Sequence, residues 1–133
     1  MTGNLDQVHK IIESINHHDF EAMFSYYSDD VVGEWEGGKF DRKTMQESWA
    51  GWSKAFPDGR FDIVKSSVLG NIVFVEWTST GTNTGSLMGV PPTGKKLEVV
   101  GVFVYEFEKG KVNRFREYYN VLGVNQMEVA IKK

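Results

Sequence analysis

Four long runs of β-favouring residues make up most of the second half of this chain, and they constrain its fold more than any other feature. The runs cover residues 61–68, 72–84, 97–107 and 112–120. Turn-forming sequences around Gly70 and Gly110 separate neighbouring runs, so these runs are predicted to pair as an antiparallel meander. Because long strands in a small sheet twist and coil strongly, we expect a curved sheet that encloses a cone.

The first half of the chain has the periodicity of helices. Apolar residues recur at helical spacing over residues 5–15, behind Asn4 as a candidate N-cap. Asp19 and Asp41 are candidate caps of a short second helix and of a third helix. An apolar run at residues 31–35 predicts one further strand, and a short helix is predicted after residue 120. Helices followed by a meander indicate an α+β fold, in which N-terminal helices wrap a cone-shaped antiparallel sheet as in an α+β barrel.

The size and charge of the chain exclude several classes of protein. Its 133 residues, 41% hydrophobic and 25% charged, suit one globular domain spanning residues 1–133. With 15 basic against 18 acidic residues, the chain lacks the basic stripe that nucleic acid or an anionic membrane would require. The sequence contains no cysteine, no apolar run long enough for a membrane span and no recognisable signal peptide. We therefore expect a cytoplasmic protein with neither nucleic acid nor membrane as a partner.

Two motifs that could suggest a bound ion or nucleotide do not meet the requirements of such a site. His17 and His18 are adjacent and therefore diverge on a helix, and no nearby pair of carboxylates completes a metal site. Residues 89–96 fit the pattern G-x4-G-K, but Lys96 stands where a phosphate-binding loop has Ser or Thr. Two prolines also remove N–H donors from that loop. We expect neither a metal nor a cofactor.

Five segments spread along the chain carry a family resemblance. Residues 55–61 read AFPDGRF, 77–85 read WTSTGTNTG, 89–95 read GVPPTGK, 108–112 read EKGKV and 119–123 read YNVLG. With these segments the chain resembles the SnoaL-like polyketide and ester cyclases, which belong to the nuclear-transport-factor-2-like (NTF2-like) superfamily together with the ketosteroid isomerases. The second and third segments are similar to the signature W-T-x-x-G-T-H-T-G followed by G-x-P-P-T-G-K. The resemblance implies a cone with an internal cavity for a small molecule.

Two positions depart from the family pattern and leave the catalytic residue open. Asn83 stands where the family often has His, and Asn120 where it often has Asp. In the family's cyclases that Asp is the general acid/base of an aldol ring closure, a role that an amide cannot fill near neutral pH. An amide can still hold a carbonyl or a water molecule by hydrogen bonds, so Asn83 and Asn120, together with Tyr27, are candidates for orienting the substrate. Glu117 is the candidate for the missing base.

Strand alternation sends positions 117 and 120 to opposite faces of a regular strand. Charged residues at even positions of the predicted strands could pair on an outer face, which would turn Glu117 inward. They are Glu76, Glu98, Glu106, Arg114 and Arg116. The family resemblance favours Asn120 inward instead, and a β-bulge near residues 118–119 would allow both to face the cone. From sequence alone, an inward Glu117 and an inward Asn120 are equally supported.

Seven aromatic side chains are candidates for the lining of a pocket between the helices and the sheet. They are Tyr27, Trp35, Trp52, Phe56, Trp77, Phe103 and Tyr105. Large rigid rings can line a cavity that small aliphatic side chains would have to fill. Any single one of them could equally fill an apolar core, so their role as a group rests on the family resemblance.

Two functions agree with these features. The first is a cofactor-free enzyme of the cyclase, isomerase or hydratase type, acting on a small apolar oxygenated substrate that is polyketide- or terpene-like. The second is a non-catalytic protein that binds a similar ligand and has lost the family Asp and His. Residues 99–104 are apolar on both faces of one predicted strand, so we also expect a homodimer in which a second subunit covers the outer face.

Overall fold

Three helices and six strands make up the parts of the chain that the computed structural model describes, residues 3–86 and 91–121. The helices are α1 (Asn4–Asn16), α2 (Phe20–Phe24) and α3 (Arg42–Ala55). The strands are β1 (Tyr27–Trp35), β2 (Gly38–Phe40), β3 (Arg60–Leu69), β4 (Ile72–Thr82), β5 (Lys96–Glu108) and β6 (Lys111–Val121). The predicted α+β class is confirmed. The short helix predicted after residue 120 falls almost wholly outside the described residues.

The six strands form one curved sheet in the order β2-β1-β6-β5-β4-β3. The predicted antiparallel meander is correct for β3 to β6. The sheet as a whole is mixed, because β1 lies parallel to β6. The end strands β2 and β3 do not pair with each other, so the sheet curves without closing into a barrel. The parallel pairing brings the first strand of the chain beside the last described one.

A tight hairpin that the sequence analysis did not predict joins β1 to β2. Its two central residues, Glu36 and Gly37, both have positive φ angles, of 50° and 79°. That combination is typical of the two-residue turns that match the twist of paired strands. Lys109 and Gly110 form the same kind of turn between β5 and β6, with φ angles of 53° and 79°. The first hairpin places Glu36 at the end of β1.

Side-chain caps start two of the three helices as predicted. The Asp19 carboxylate accepts a hydrogen bond of 3.1 Å from the backbone N–H of Ala22, and Asp41 accepts one of 2.9 Å from that of Thr44. Each bond satisfies one of the N–H groups that a helix start leaves without a partner. The prediction for α1 is wrong by one residue, because Gly3 occupies the cap position and makes no side-chain bond.

Odd-numbered positions of β4, of β5 and of β6 from residue 114 onward form the inner face of the sheet, which packs against the helices. The register aligns Val75 with Phe103 and Phe103 with Glu117, and residues directly opposite each other project to the same side. The apolar side of α1, which includes the buried Val8 and Ile15, belongs to the same core. The inner face is therefore where helices and sheet meet.

Even-numbered positions of the same strands form the outer face, as the charge pattern predicted. Arg114 donates two hydrogen bonds of 3.0 Å to the Glu34 carboxylate on β1. Arg116 donates one of 3.3 Å to Glu106 on β5. These cross-strand pairs hold the arginines of β6 away from the inner face. The homodimer predicted to form through this outer face stays a prediction.

Candidate functional site

Seven rings from five elements form a continuous aromatic cluster on the inner face. They are Trp49 and Trp52 of α3, Phe61 of β3, Trp77 of β4, Phe103 and Tyr105 of β5, and Phe115 of β6. Ring centroids lie 4.7 Å apart for Phe61 and Trp77, 4.9 Å for Trp77 and Phe103, and 5.1 Å for Phe103 and Phe115. These distances are typical of edge-to-face and tilted ring pairs. The cluster joins α3 to all four strands of the meander.

A glycine on β5 makes room for the centre of this aromatic cluster. Gly101 lies opposite Trp77 on the neighbouring strand. A Cβ atom at position 101 would lie 2.5 Å from the Trp77 indole ring and 2.5 Å from the backbone oxygen of Tyr118. Since real Cβ atoms do not approach other atoms so closely, only glycine at position 101 leaves room for the indole ring against β5.

Four of the seven predicted lining residues belong to the aromatic cluster, namely Trp52, Trp77, Phe103 and Tyr105. The other three lie around it. Tyr27 is buried beside Phe24, with ring centroids 5.0 Å apart, and Trp35 stacks on Phe40 at 4.1 Å. Phe56 is buried at the end of α3, where its ring approaches Gly81.

The pocket expected within the aromatic cluster stays a prediction. Trp77 and Phe103 are 1% and 0% exposed and pack against each other. A cavity of about 540 Å³ lies elsewhere, between α1 and β3, and only Phe61 of the aromatic cluster lines it. Most of its lining residues are polar or charged, including His9, Glu13 and Arg60. This groove does not have the apolar lining that the sequence predicted.

Three buried polar atoms within or beside the aromatic cluster have no hydrogen-bond partner in the described part of the protein. They are the hydroxyl oxygens of Tyr27 and Tyr105 and the indole nitrogen of Trp77. The two hydroxyls lie close enough to affect each other's pKa, but they do not meet the geometry of a hydrogen bond. Buried donors are normally paired, so unpaired ones indicate a place where a ligand or water supplies the acceptor.

Glu117 is the carboxylic acid of this inner face. It lies opposite Phe103 on β5 and beside Trp35 on β1, and its side chain is half-buried. Among the described residues no cation pairs with it, because Arg114 and Arg116 bind carboxylates on the outer face. The pKa of Glu117 is raised to about 7, mainly by burial and to a smaller extent by the negative charge of Glu36. Such a carboxyl is about half ionised near neutral pH.

The two buried phenols share the electrostatic environment of Glu117. Burial raises the pKa of Tyr27 and that of Tyr105 above the ordinary value of 10.0, and the charge of Glu117 adds to both increases. Both hydroxyls therefore keep their protons at neutral pH and remain hydrogen-bond donors. Glu117, Tyr27 and Tyr105 together form one acid–base group at the edge of the aromatic cluster.

The orientation that the sequence left open is resolved in favour of Glu117. From Glu117 to Asn120 the β5–β6 register runs without interruption, pairing Asn120 with Val100. The β-bulge considered near residues 118–119 is therefore not formed, and the register shifts instead between Glu106 and Phe107. Asn120 lies on the outer face, opposite in direction to Glu117. A catalytic role for Asn120 stays a prediction.

Asn83 is buried and holds together the loop that follows β4. Its amide nitrogen donates a hydrogen bond of 2.8 Å to the Gly85 carbonyl. Its amide oxygen accepts bonds of 2.9 and 3.1 Å from the N–H and hydroxyl of Thr93. Because these bonds already use both ends of the amide, the arrangement favours a structural role for Asn83 over the predicted contact with substrate.

Two residues that were not predicted as site residues lie near Glu117. The Tyr119 hydroxyl donates a hydrogen bond to the Glu36 carboxylate, and Tyr119 faces inward like Glu117. The strand alternation that turns Glu117 inward also turns Tyr119 inward. Glu36 could not be found in the same way, since its position depends on the unpredicted hairpin between β1 and β2.

Comparison with known proteins identifies relatives over nearly the whole chain. Residues 6–127 match the family described as SnoaL-like polyketide cyclase. A search among curated proteins gave no match. Within the described residues there is no helix long and apolar enough to cross a membrane, and no cluster of three side chains placed to hold a metal ion.

Several solved structures share the fold. AclR, a candidate hydroxylase from Streptomyces galilaeus, is 25% identical with a TM-score of 0.82, over 96% of this chain and 83% of its own. A SnoaL-like polyketide cyclase from Agrobacterium tumefaciens is 18% identical with a TM-score of 0.78, over 98% of this chain and 99% of its own. An NTF2-like protein from Cytophaga hutchinsonii is 17% identical with a TM-score of 0.63, over 90% of this chain and 92% of its own.

Proposed function

The chain belongs to the SnoaL-like polyketide cyclase family, and from this premise we propose that it is an acid–base enzyme in which Glu117 is the general base. The proposed reaction is of the cyclase, isomerase or hydratase type. The proposed substrate is a small, largely apolar, oxygenated molecule of polyketide or terpene character. The observation that carries this proposal is the position of Glu117, which lies beside the aromatic cluster with no cationic partner among the described residues.

Glu117 has the properties that proton transfer from carbon requires. Its raised pKa, about 7, lies close to the operating pH, where a general base is most effective. The ionised carboxylate would take a proton from a carbon next to a substrate carbonyl. The protonated carboxyl would then return that proton, either to another carbon or to the oxygen of a newly formed alcohol. For a cyclisation or an isomerisation, atoms and charge balance without any further reactant, whereas a hydratase reaction also consumes one water molecule.

The unpaired donors around Glu117 suit the oxygen of such a substrate. Trp77 presents a buried donor without an acceptor in the described part of the protein, and the neighbouring hydroxyls of Tyr27 and Tyr105 present at least one more. A carbonyl oxygen bound by one of these donors would hold the neighbouring carbon toward Glu117, while the rings pack against an apolar body. Tyr27 was a candidate lining residue from the sequence, and here it would orient the carbonyl.

A second function, binding without catalysis, is favoured by one specific observation. The family positions that often carry His and Asp hold Asn83 and Asn120. Asn83 is engaged in loop hydrogen bonds, and Asn120 lies on the outer face. Neither amide takes up a proton near neutral pH. A protein that relied on the family positions alone would therefore bind a ligand without converting it.

Two substitutions distinguish the enzyme from the binding protein. The assay follows loss of an open-chain poly-β-keto ester with wild-type protein, Glu117→Gln and Asn120→Asp. The enzyme proposal expects wild-type turnover and at least a 100-fold loss in Glu117→Gln, in line with general-base contributions of about 10²–10⁴. It also expects Glu117→Gln to bind the ester as tightly as the wild type, measured by tryptophan fluorescence.

The opposite pattern would support the binding protein. In that case wild type and Glu117→Gln bind the ester equally and neither converts it, whereas Asn120→Asp gains turnover. Glu106→Gln serves as a matched control, because it removes a carboxylate from the outer face and leaves the inner face unchanged. A loss of turnover in Glu106→Gln as large as that in Glu117→Gln would contradict the assignment of Glu117.

A further inference from the structure

A hydrogen bond between distant parts of the chain holds a second carboxylate near Glu117. Glu36 lies in the hairpin turn after β1, and its carboxylate accepts a hydrogen bond from the Tyr119 hydroxyl on β6. Tyr119 and Glu117 are two residues apart on the same strand and project to the same face. Trp35, the residue before Glu36, is the direct neighbour of Glu117 on β1. The turn and the strand therefore converge at the edge of the inner face.

The backbone of the turn explains why Glu36 occupies this place. A non-glycine residue with a φ angle of 50° is uncommon and here serves the two-residue hairpin. The preceding Trp35 is fixed by stacking on Phe40 of β2 at 4.1 Å. Glu36 thus extends from a turn that is anchored on one side by this stack and on the other by the bond to Tyr119.

The charged and titratable groups around Glu117 come from each neighbouring element. Tyr27 lies on β1, Tyr105 on β5, and Glu36 in the turn, and all three interact electrostatically with Glu117. Arg42 of α3 lies close to Tyr27 and donates to three backbone carbonyls, of Phe24, Tyr27 and Ser28. Of these neighbours, Glu36 is the one that contributes a like charge to Glu117.

We propose that Glu36 and Tyr119 are positioning residues for Glu117: the Tyr119 hydroxyl fixes the Glu36 carboxylate at the edge of the inner face, from which its negative charge acts on Glu117. Two carboxylates close together resist being ionised at the same time. Glu36 therefore keeps Glu117 a stronger base than burial alone would make it. The catalytic consequence of this inference rests on the proposed function of Glu117 as the base. The effect of Glu36 on Glu117 itself requires no substrate.

The test is an NMR titration of the Glu117 carboxyl carbon in protein labelled at the glutamate side chains. The Glu117 resonance is assigned by its absence in Glu117→Gln. Glu36→Gln is expected to lower the Glu117 pKa by roughly 0.5 pH unit, the size expected for the loss of one nearby charge that is partly screened by solvent. Tyr119→Phe is expected to lower it as well, because Glu36 loses its anchor.

A double variant separates the two roles. If Tyr119 acts through Glu36, the pKa of Glu117 in Glu36→Gln/Tyr119→Phe equals that in Glu36→Gln alone. Glu34→Gln is the matched control: Glu34 lies on the same strand as Trp35 but binds Arg114 on the outer face, so its removal leaves the Glu117 pKa within about 0.1 of the wild type.

Two results would overturn the inference. One is an unchanged Glu117 pKa in Glu36→Gln, and the other is a fall in Glu34→Gln as large as that in Glu36→Gln. The titration needs no substrate, so it can be read even if the protein catalyses nothing. Conversely, turnover that depends on Glu117, together with an unchanged pKa in Glu36→Gln, would leave the proposed function intact and remove only the role of Glu36.

Discussion

The two faces of strand β6 carry ionisable residues in opposite surroundings. On the outer face, Arg114 and Arg116 pair with Glu34 and Glu106 across the neighbouring strands. On the inner face, Glu117 stands next to the aromatic cluster, and no described cation reaches it. A carboxylate with an arginine partner is stabilised as an ion, whereas one without a partner in an apolar setting holds its proton more strongly. One strand thus separates structural charge pairs from a group suited to proton transfer.

The largest expected difference between the two faces is in the free energy of unfolding when an aromatic ring is removed from each face of β6. Phe115 is 1% exposed within the aromatic cluster, whereas Tyr118 is 60% exposed on the outer face. Phe115→Ala is expected to lower the free energy of unfolding by about 3–5 kcal/mol, since it leaves a cavity in the core. Tyr118→Ala is expected to change it by about 0.5 kcal/mol or less. Urea unfolding measures both, and equal losses would contradict the assignment of the two faces.

A second effect concerns the pH dependence of stability. The pKa of Glu117 is about 7 in the folded protein against an ordinary value of 4.5. Between these two values the folded protein binds more protons than the unfolded chain, so its stability falls as the pH rises through this window. The stability lost by pH 8 amounts to at most about 3 kcal/mol. Glu117→Gln removes the titrating group.

We therefore expect Glu117→Gln to be more stable than the wild type at pH 8 and to match it at pH 4, as measured by urea unfolding at both values. The substitution would abolish turnover while stabilising the fold, a combination typical of residues kept for activity. If Glu117→Gln were less stable than the wild type at pH 8, the carboxylate would have a stabilising partner, and the contrast with the outer face would fail.

The smallest effect is expected on the outer face. Glu106 and Arg116 each keep about a third of their side chains exposed, 29% in both cases. Glu106→Gln is expected to lower the free energy of unfolding by about 0.2–1 kcal/mol, and the difference should shrink at high salt. Unfolding at low and high salt measures this. A loss of several kcal/mol that persists in high salt would mean that the pair behaves as a buried ion pair.

Local sequence signals predicted much of this fold, and they failed where contacts are distant along the chain. Asp19 and Asp41 were identified as helix caps because a cap depends on residues only three positions away. The meander was predictable because its strands are consecutive. The parallel pairing of β1 with β6 joins residues about 80 positions apart, Trp35 and Glu117 for example. No short-range pattern encodes such a pairing.

The candidate site, like the fold, was predictable from local patterns and not from contacts between distant parts of the chain. Strand parity gave two possible orientations of Glu117, and only the register of β6 against β5 decided between them. The hairpin at Glu36 and Gly37 has the same φ signs as the predicted one at Lys109 and Gly110. It escaped prediction because β2 has only three residues and so little alternation to recognise. Glu36 could therefore not be connected with Glu117 from the sequence.

The central claim is that Glu117 is a base beside the aromatic cluster with no cationic partner in the described part of the chain. Titration of its carboxyl carbon in the wild-type protein tests this claim most directly. The expected midpoint lies near pH 7, well separated from those of the carboxylates on the outer face. A midpoint at or below the ordinary value of 4.5 would contradict it, because such a Glu117 would be solvated or paired like Glu34 and Glu106.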